Sequence, residues 1–294
     1  MKQNKLVTAL VAVAACATLS FSAQAAVIDW QLTTLGQTQT ISGATYTQVS
    51  TQATGTGVIP SFVQVGGNQN VVEAYNTTVD NVFQNGSSDV HNHAVSVGSI
   101  GFIDLNGAAT PGGLVMRFLL DINQNNGGTN NFLSLDEVQI FLSTSPDQGF
   151  NTSPAQGAVL GLANSSLIYQ LDKLADNRIK LDAQIGGGSG TGDVILDIPF
   201  ELFAPGFASL GLNSASLQNG AFIYLYSKFG SQFTNNDGFE EWGALQGAAV
   251  VDVPCVPGTL GCGPQEQVPE PHNLALLAIG LLGIGAVSRK RRNW

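Results

Sequence analysis

The stretch Leu-Val-Met-Arg-Phe-Leu-Leu-Asp-Ile at residues 114–122 decides the fold class of this chain. It is short and apolar, and turn-forming residues bound it on both sides, which is typical of a strand in a packed sheet. Similar runs occur at residues 46–49, 58–65, 71–75, 94–103, 138–142, 167–171, 179–185, 194–198 and 222–226. A short helical turn is expected at residues 199–203, and no long amphipathic helix pattern is present. These runs predict an all-β fold, an antiparallel, jelly-roll-like β-sandwich over residues 26–252.

The charges of the predicted domain argue against one class of function. The chain has 294 residues and a net charge of −10, and 11% of its residues are charged. Between residues 26 and 268 there are 20 acidic and five basic residues. Such a surface has no basic patch to displace the counterions of a phosphate backbone, so we expect no nucleic-acid partner. It suits the binding of divalent cations, or a soluble, self-repelling surface protein.

The N-terminus has the three parts of a secretory signal peptide. Two lysines precede an apolar run at residues 6–19, and a small-x-small site ends at Ala25. We expect residues 1–25 to be removed on export, with cleavage after Ala26 as the alternative. A retained membrane anchor is less consistent with the short apolar run. A lipobox-like sequence ends at Cys16 and would instead make that residue a lipidated N-terminus.

The C-terminus joins three features in a fixed order. A Pro-Glu-Pro motif precedes an apolar helix predicted at residues 274–287, and a basic cluster follows the helix. The basic cluster orients the helix, since positively charged residues stay in the cytoplasm while the body lies outside. The residues of the two polar features are Pro269, Glu270 and Pro271, and Arg289, Lys290, Arg291 and Arg292.

This arrangement resembles the PEP-CTERM sorting signal of Gram-negative bacteria. In that family the tail is recognised and removed by exosortase, a membrane enzyme similar to cysteine proteases, as the protein is passed to the surface. The resemblance implies processing by exosortase, a transient anchor in the inner membrane, and a final place at the cell surface or outside the cell. A permanent tail anchor is the alternative. In either case residues 269–294 act as an address and not as part of the fold.

Several blocks of the body are also similar to PEP-CTERM proteins. The similarity implies one class of sorted surface proteins and identifies no ligand. The blocks lie at residues 120–123 with 133–140, at 186–193, at 224–230 and at 237–242.

The two cysteines of the exported chain, Cys255 and Cys262, lie in the predicted linker at residues 253–268. An oxidising compartment and close spacing around a Pro-Gly turn predict a small disulfide loop. A two-cysteine metal site is the alternative, although no further thiol is present to complete it.

The strongest candidate for a metal site is a calcium loop. Asp121, Asn123 and Asn125 alternate like the opening of such a loop, and Asp136 and Glu137 would close it. Calcium prefers six to eight oxygen ligands of this kind. The EF-hand pattern is not satisfied, because the glycine comes late and no helix flanks the loop. A polar hairpin without metal is the alternative.

Two further clusters carry weaker signals. Asp237, Glu240 and Glu241 form an acidic group that could meet the first one across the sandwich, with a solvated turn as the alternative. His91 and His93 follow Asp89 at a spacing that places all three on one face of a strand. That set would suit zinc or copper, with ordinary surface histidines as the alternative.

No arrangement of residues points to catalysis. The Gly-rich segment 186–192 lacks the lysine of a phosphate-binding loop and is expected to be a hairpin. We therefore expect a non-enzymatic, structural or adhesive protein of the surface or matrix, with no cofactor beyond structural calcium. A carbohydrate-binding or carbohydrate-active sandwich acting on exopolysaccharide is the alternative.

Overall fold

The computed structural model describes residues 26–52, 61–67, 69–83, 91–106, 113–125, 127, 130–186, 191–212 and 220–245. The predicted signal peptide, the cysteine-containing linker, the sorting tail and Asp89 lie outside these residues. Within the described ranges no helix has the length and apolar character needed to cross a membrane.

Short strands are the main element of the described chain. In chain order the elements are β1 (Val27–Leu32), β2 (Thr38–Ile41), β3 (Ala44–Gln52), β4 (Ser61–Gly66), β5 (Val72–Tyr75), β6 (Val95–Ser96), α1 (Val97–Ile100), β7 (Ile103–Asp104), β8 (Leu114–Asp121), β9 (Phe132–Ser143), β10 (Ser165–Gln170), β11 (Asp176–Asp182), β12 (Thr191–Pro199), α2 (Phe200–Ser209), β13 (Phe222–Phe229) and β14 (Phe239–Ala244).

The described strands form two sheets. Sheet A has the order β1-β11-β9-β13-β5, with β10 also beside β9 and β6 beside β13. Sheet B has the order β2-β3-β12-β8-β14-β4, with β7 beside β8. These strand pairs are antiparallel, except that β1 runs parallel to β11. The predicted all-β sandwich of antiparallel strands is confirmed in this form.

Apolar residues at every second position form the core between the sheets. In β8 the buried series is Met116, Phe118 and Leu120, and in β12 it is Val194 and Leu196. This period of two places one face of each strand against the opposite sheet. Burial of these faces stabilises the sandwich by roughly 25 cal/mol for each Å² of apolar surface removed from water.

The helical turn expected at residues 199–203 is the start of α2. Three phenylalanines of α2, at positions 200, 203 and 207, pack together in the core, and Phe102 meets two of their rings edge-on at 5.2 Å between centroids. The helix packs against β9 and β10 of sheet A and β8 and β12 of sheet B, and its apolar side buries these rings.

Buried hydrogen bonds join the two sheets across the core. The indole Nε1 of Trp242 in β14 donates to Ser227 Oγ in β13 at 3.0 Å. The hydroxyls of Tyr46 in β3 and Tyr169 in β10 lie 3.0 Å apart. A buried donor without an acceptor costs about 1–3 kcal/mol, so these bonds favour one alignment of the two sheets over others.

We expect Trp242→Phe to lower the free energy of unfolding by about 2 kcal/mol or more, because it leaves a gap in the core and an unpaired Ser227 hydroxyl. Urea denaturation measures this change. Trp30→Phe is the matched control, since that indole also donates to a side chain, Asn177 Oδ1 at 2.9 Å, but lies only partly buried. Equal losses in the two variants would contradict the role of the cross-sheet bond.

Candidate functional site

The two acidic segments singled out in the sequence meet on neighbouring strands of sheet B. Glu241 of β14 lies directly opposite Asp121, the last residue of β8. On the other side of β8, Val194 of β12 lies opposite Leu120, which brings Asp193 to the same end of the sheet. Residues of β8, β12 and β14 therefore bring carboxyl groups to the same end of sheet B.

Some of these carboxyls belong to a buried group that we term the end cluster. Its members, with the exposed fraction of each residue, are Asp121 (3%), Gln124 (5%), Asp193 (2%) and Glu240 (0%).

The predicted acidic group at residues 237–241 is divided by the alternation of β14. Glu240 is buried in the end cluster, whereas Glu241 accepts a hydrogen bond from Gln64 Nε2 of the neighbouring strand at 2.8 Å. Asp237 precedes the strand and lines a cleft described below. The two predicted acidic segments thus meet within one sheet and not across the sandwich.

Backbone and amide N–H groups hold the end cluster in place. The backbone N–H of Ile122 donates to Asp193 Oδ2 at 2.8 Å, and that of Asn123 donates to Glu240 Oε2 at 2.8 Å. The side-chain Nε2 of Gln124 donates to Glu240 Oε1 at 3.0 Å. Both oxygens of Glu240 thus accept a hydrogen bond.

Burial makes the charged forms of these carboxyls costly. It raises the pKa of Asp193 to about 8, with the charge of Asp121 adding to the rise and the Ile122 N–H opposing it. Burial also raises the pKa of Glu240 well above its ordinary value, and the nearby Asp121 and Asp193 act in the same direction. Such grouped shifts are typical of functional sites.

A cleft of about 520 Å³ adjoins the end cluster. Its walls are the loop between β13 and β14, residues 230–238, which we term the cleft loop, together with the start of β14 and residues 67 and 70. The lining residues are Gly67, Asn70, Thr234, Asn235, Asn236, Asp237, Gly238 and Phe239. The lining therefore combines amide groups and a carboxyl with an aromatic ring.

The residue Phe239 is 48% exposed at this cleft. Its ring packs against Gly66 of the neighbouring strand so closely that a Cβ at that position would lie 2.6 Å from the ring. Gly238, just before it, has φ +55°, and a Cβ there would come within 2.0 Å of the Asn123 side chain. Glycine at these two positions lets the backbone present Phe239 to solvent.

Hydrogen bonds tie the cleft loop to both neighbouring segments. The side-chain Nδ2 of Asn235 donates to the carbonyls of Gly67 and Gln69, at 3.2 Å each. The backbone N–H of Asn125 donates to Asn236 Oδ1 at 2.8 Å, and Asn125 Nδ2 donates to the carbonyl of Asn236 at 3.1 Å. The loop is therefore held in its shape before any ligand arrives.

Gln124 connects the cleft with the end cluster, because its Nε2 also reaches Asn235 Oδ1 at 3.3 Å. Asn123 and Asn125, predicted as calcium ligands, have structural contacts in the same region. Asn123 supplies a backbone donor to Glu240, and Asn125 holds the cleft loop.

The other two predicted ligands, Asp136 and Glu137, lie in the opposite sheet. A register shift in the pairing of β9 with β13, between Lys228 and Phe229, falls at these residues. They line a cavity of about 100 Å³ on the outer face of sheet A, which we term the outer cavity, beside Asp172. The structure thus divides the five predicted calcium ligands between two places.

Carboxyls in the outer cavity also have raised pKa values. Burial raises the pKa of Glu137 to about 8, and the charge of Asp172 contributes to the rise. Burial raises the pKa of Asp172 to about 7, with Asp176 and Asp136 adding to the rise. The two form a coupled pair, since the charge of Asp172 raises the pKa of Glu137, whereas the Asp172 backbone N–H, which donates to Glu137, lowers it.

The histidine candidates contact residues of β4. His91 Nδ1 is 2.9 Å from Ser61 Oγ, and the backbone N–H of His93 donates to the carbonyl of Phe62. Among the residues that the structure describes, no group of three or more His, Cys, Asp or Glu side chains is arranged to hold a metal ion. A cation site within the described residues would therefore have to include oxygen donors other than carboxyl groups.

Sequence reasoning missed Asp193 and Gln124 as members of a site. Asp193 follows the Gly-rich segment 186–192, and the first residue of this segment, Gly186, lies so close to the Asp193 carboxyl that a Cβ at Gly186 would clash with Oδ1. An acidic residue entering an apolar strand is the signal that could have identified it.

We expect the free energy of unfolding to fall as pH rises from about 4.5 to about 8. In this window the folded chain holds protons on Glu137 and Asp172 that the unfolded chain has lost, so raising the pH favours unfolding. Glu137→Gln should make this fall shallower, by on the order of 3 kcal/mol across the window. Urea denaturation at a series of pH values measures both curves. Parallel curves would contradict the buried, coupled carboxyl pair.

The comparison with protein families gives a match at the C-terminus. Residues 267–292 match the PEP-CTERM protein-sorting motif. No curated protein and no solved structure matches the chain. The chain therefore carries a PEP-CTERM sorting motif at its C-terminus, and this motif indicates an exported surface protein that is processed by exosortase.

Proposed function

We propose that the chain is a non-enzymatic, adhesive or structural protein of the cell surface or extracellular matrix, and that its cleft binds exopolysaccharide. The cleft beside Phe239 is the observation that carries this proposal. The predicted transient anchor at residues 274–287 and cleavage near the Pro-Glu-Pro motif belong to the same proposal.

The size and lining of the cleft suit a saccharide. Its volume of about 520 Å³ falls within the usual range of small-molecule sites, roughly 300–1,000 Å³. Amide side chains both donate and accept hydrogen bonds, which matches hydroxyl groups that do the same. The exposed ring of Phe239 offers a flat apolar surface for the C–H face of a sugar ring.

The charge of the site favours neutral sugars over anionic ones. Asp237 lines the cleft, and the end cluster lies behind it. A polysaccharide rich in carboxylates or sulfates would be repelled at this position. A neutral or cationic polysaccharide would not be repelled.

The cleft loop is organised in advance for binding. Asn235 and Asn236 use their side chains to fix the loop to neighbouring segments, so little conformational entropy remains to be lost. This rigidity supports a binding role for the cleft in the folded chain.

A carbohydrate-active enzyme is the second candidate, and the outer cavity is the observation that favours it. Burial raises the pKa of both Glu137 and Asp172, so this pair can hold a proton near neutral pH, as a general acid requires. The cavity of about 100 Å³ has room for roughly three water molecules, which is small for a sugar unit. We therefore favour binding without turnover.

The sorting proposal predicts a specific change in mass. Cells with exosortase should yield a mature protein that lacks the residues after the Pro-Glu-Pro motif, and cells without the enzyme should yield the intact tail. Intact-mass measurement of protein from the two strains checks this. A tail that includes residues 289–292 in both strains would support a permanent anchor instead.

The binding proposal predicts that Phe239→Ala weakens binding of the cell's own exopolysaccharide by about fivefold to tenfold. Loss of one stacked ring removes about 1 kcal/mol of binding free energy. Binding to immobilised, purified polysaccharide measures the change.

Phe150→Ala is the matched control, since that residue is 36% exposed and its ring packs on Gly161, outside the cleft. Equal affinity in Phe239→Ala and the unchanged protein would contradict the cleft as the site. Cleavage of the polysaccharide that disappears in Glu137→Gln would support the enzyme in place of the binding protein.

A further inference from the structure

The end cluster places the carboxyl groups of Asp121, Asp193 and Glu240 in the interior, with exposed fractions of 3%, 2% and 0%. Backbone and amide N–H groups donate to Asp193 and Glu240. Burying an ionised carboxylate is costly unless a counter-charge or several donors accompany it. A positive charge at this end of sheet B would therefore stabilise the folded chain.

A second observation points to a ligand at the same place. Gln124 Oε1 is buried and accepts no hydrogen bond from the described part of the chain, although Nε2 of the same amide donates to Glu240 and Asn235. Buried acceptors of this kind are almost always satisfied in folded proteins. An amide oxygen left open beside carboxylates is a suitable ligand for a hard cation.

Glu240 already acts as a hydrogen-bond acceptor within the end cluster. Its two oxygens already accept hydrogen bonds from Asn123 and Gln124. The other oxygen-bearing side chains of the end cluster belong to Asp121, Asp193 and Gln124. Two carboxylates and one amide agree with the finding that the described residues contain no metal site of three or more His, Cys, Asp or Glu side chains.

We propose that the end cluster binds calcium through Asp121, Asp193 and Gln124 Oε1. Calcium accepts a ligand shell of six to eight oxygens with flexible geometry, and water can complete it. The ion would join the ends of β8 and β12 and orient the Gln124 amide, which reaches Asn235 in the cleft. The carboxyls of the outer cavity take no part in this site.

Calcium binding to the purified full-length chain, stripped with a chelator, tests the proposal without any saccharide. Its result is therefore independent of what the cleft binds. We expect heat of binding in titration calorimetry and a rise in Tm of about 5–10 °C at about a hundredfold excess over Kd. Magnesium should raise Tm less, because it demands stricter octahedral geometry.

Asp193→Asn should abolish the calcium response while leaving the calcium-free Tm equal or higher, because a neutral amide replaces a buried carboxyl that is costly to ionise. Glu137→Gln, which changes a buried carboxyl of the outer cavity, is the matched control and should keep the full response.

If Asp193→Asn does not fold, Gln124→Glu tests the same site, since a third carboxylate should tighten calcium binding and lower the calcium-free Tm. Calcium affinity unchanged in Gln124→Glu would count against the proposal. No calcium binding to the unchanged chain, or a full response in Asp193→Asn, would overturn it.

Discussion

The register between β8 and β14 is the constraint on which the site depends. Trp242 is completely buried, and its indole reaches across the core to Ser227. With Trp242 opposite Leu120, Glu241 lies opposite Asp121, and the preceding residue, Glu240, comes within reach of the Asn123 N–H. A slip of one residue would move the tryptophan to the outer face and separate these carboxyls. The packing of one large side chain thus decides where the charges lie.

The acidic residues of the body do not act as a uniform surface charge. Several of them lie in two buried groups, one at the end of sheet B and one on the outer face of sheet A. Each group lowers stability when its carboxyls ionise, since charged groups are poorly solvated in the interior. The presence of these carboxyls is consistent with a role beyond packing, because a protein is often more stable when apolar residues replace its buried charged groups. The end cluster adjoins a cleft of sufficient size for a ligand. A functional role is therefore better supported for the end cluster than for the outer cavity.

Local patterns were sufficient for much of the fold. The apolar runs at residues 114–122, 194–198 and 222–226 correspond to β8, β12 and β13, because burial of alternate residues is a property of each strand alone. No local sequence pattern predicted the parallel pairing of β1 with β11. The predicted calcium ligands lie in two places because the chain crosses from sheet B to sheet A between β8 and β9, which carries Asp136 and Glu137 into the other sheet.

The linear order of residues is enough to identify the sorting signal and the strand-rich class of the body. A sorting motif is read in linear order along the chain, so its residues need no fold to bring them together. Which carboxyls share a site follows from the pairing of strands that are distant in the chain. Asp121, Asp193 and Glu240 are far apart in the chain and meet because three strands pair side by side in sheet B. Strand order and register are set by packing of the whole core, and no local pattern records them.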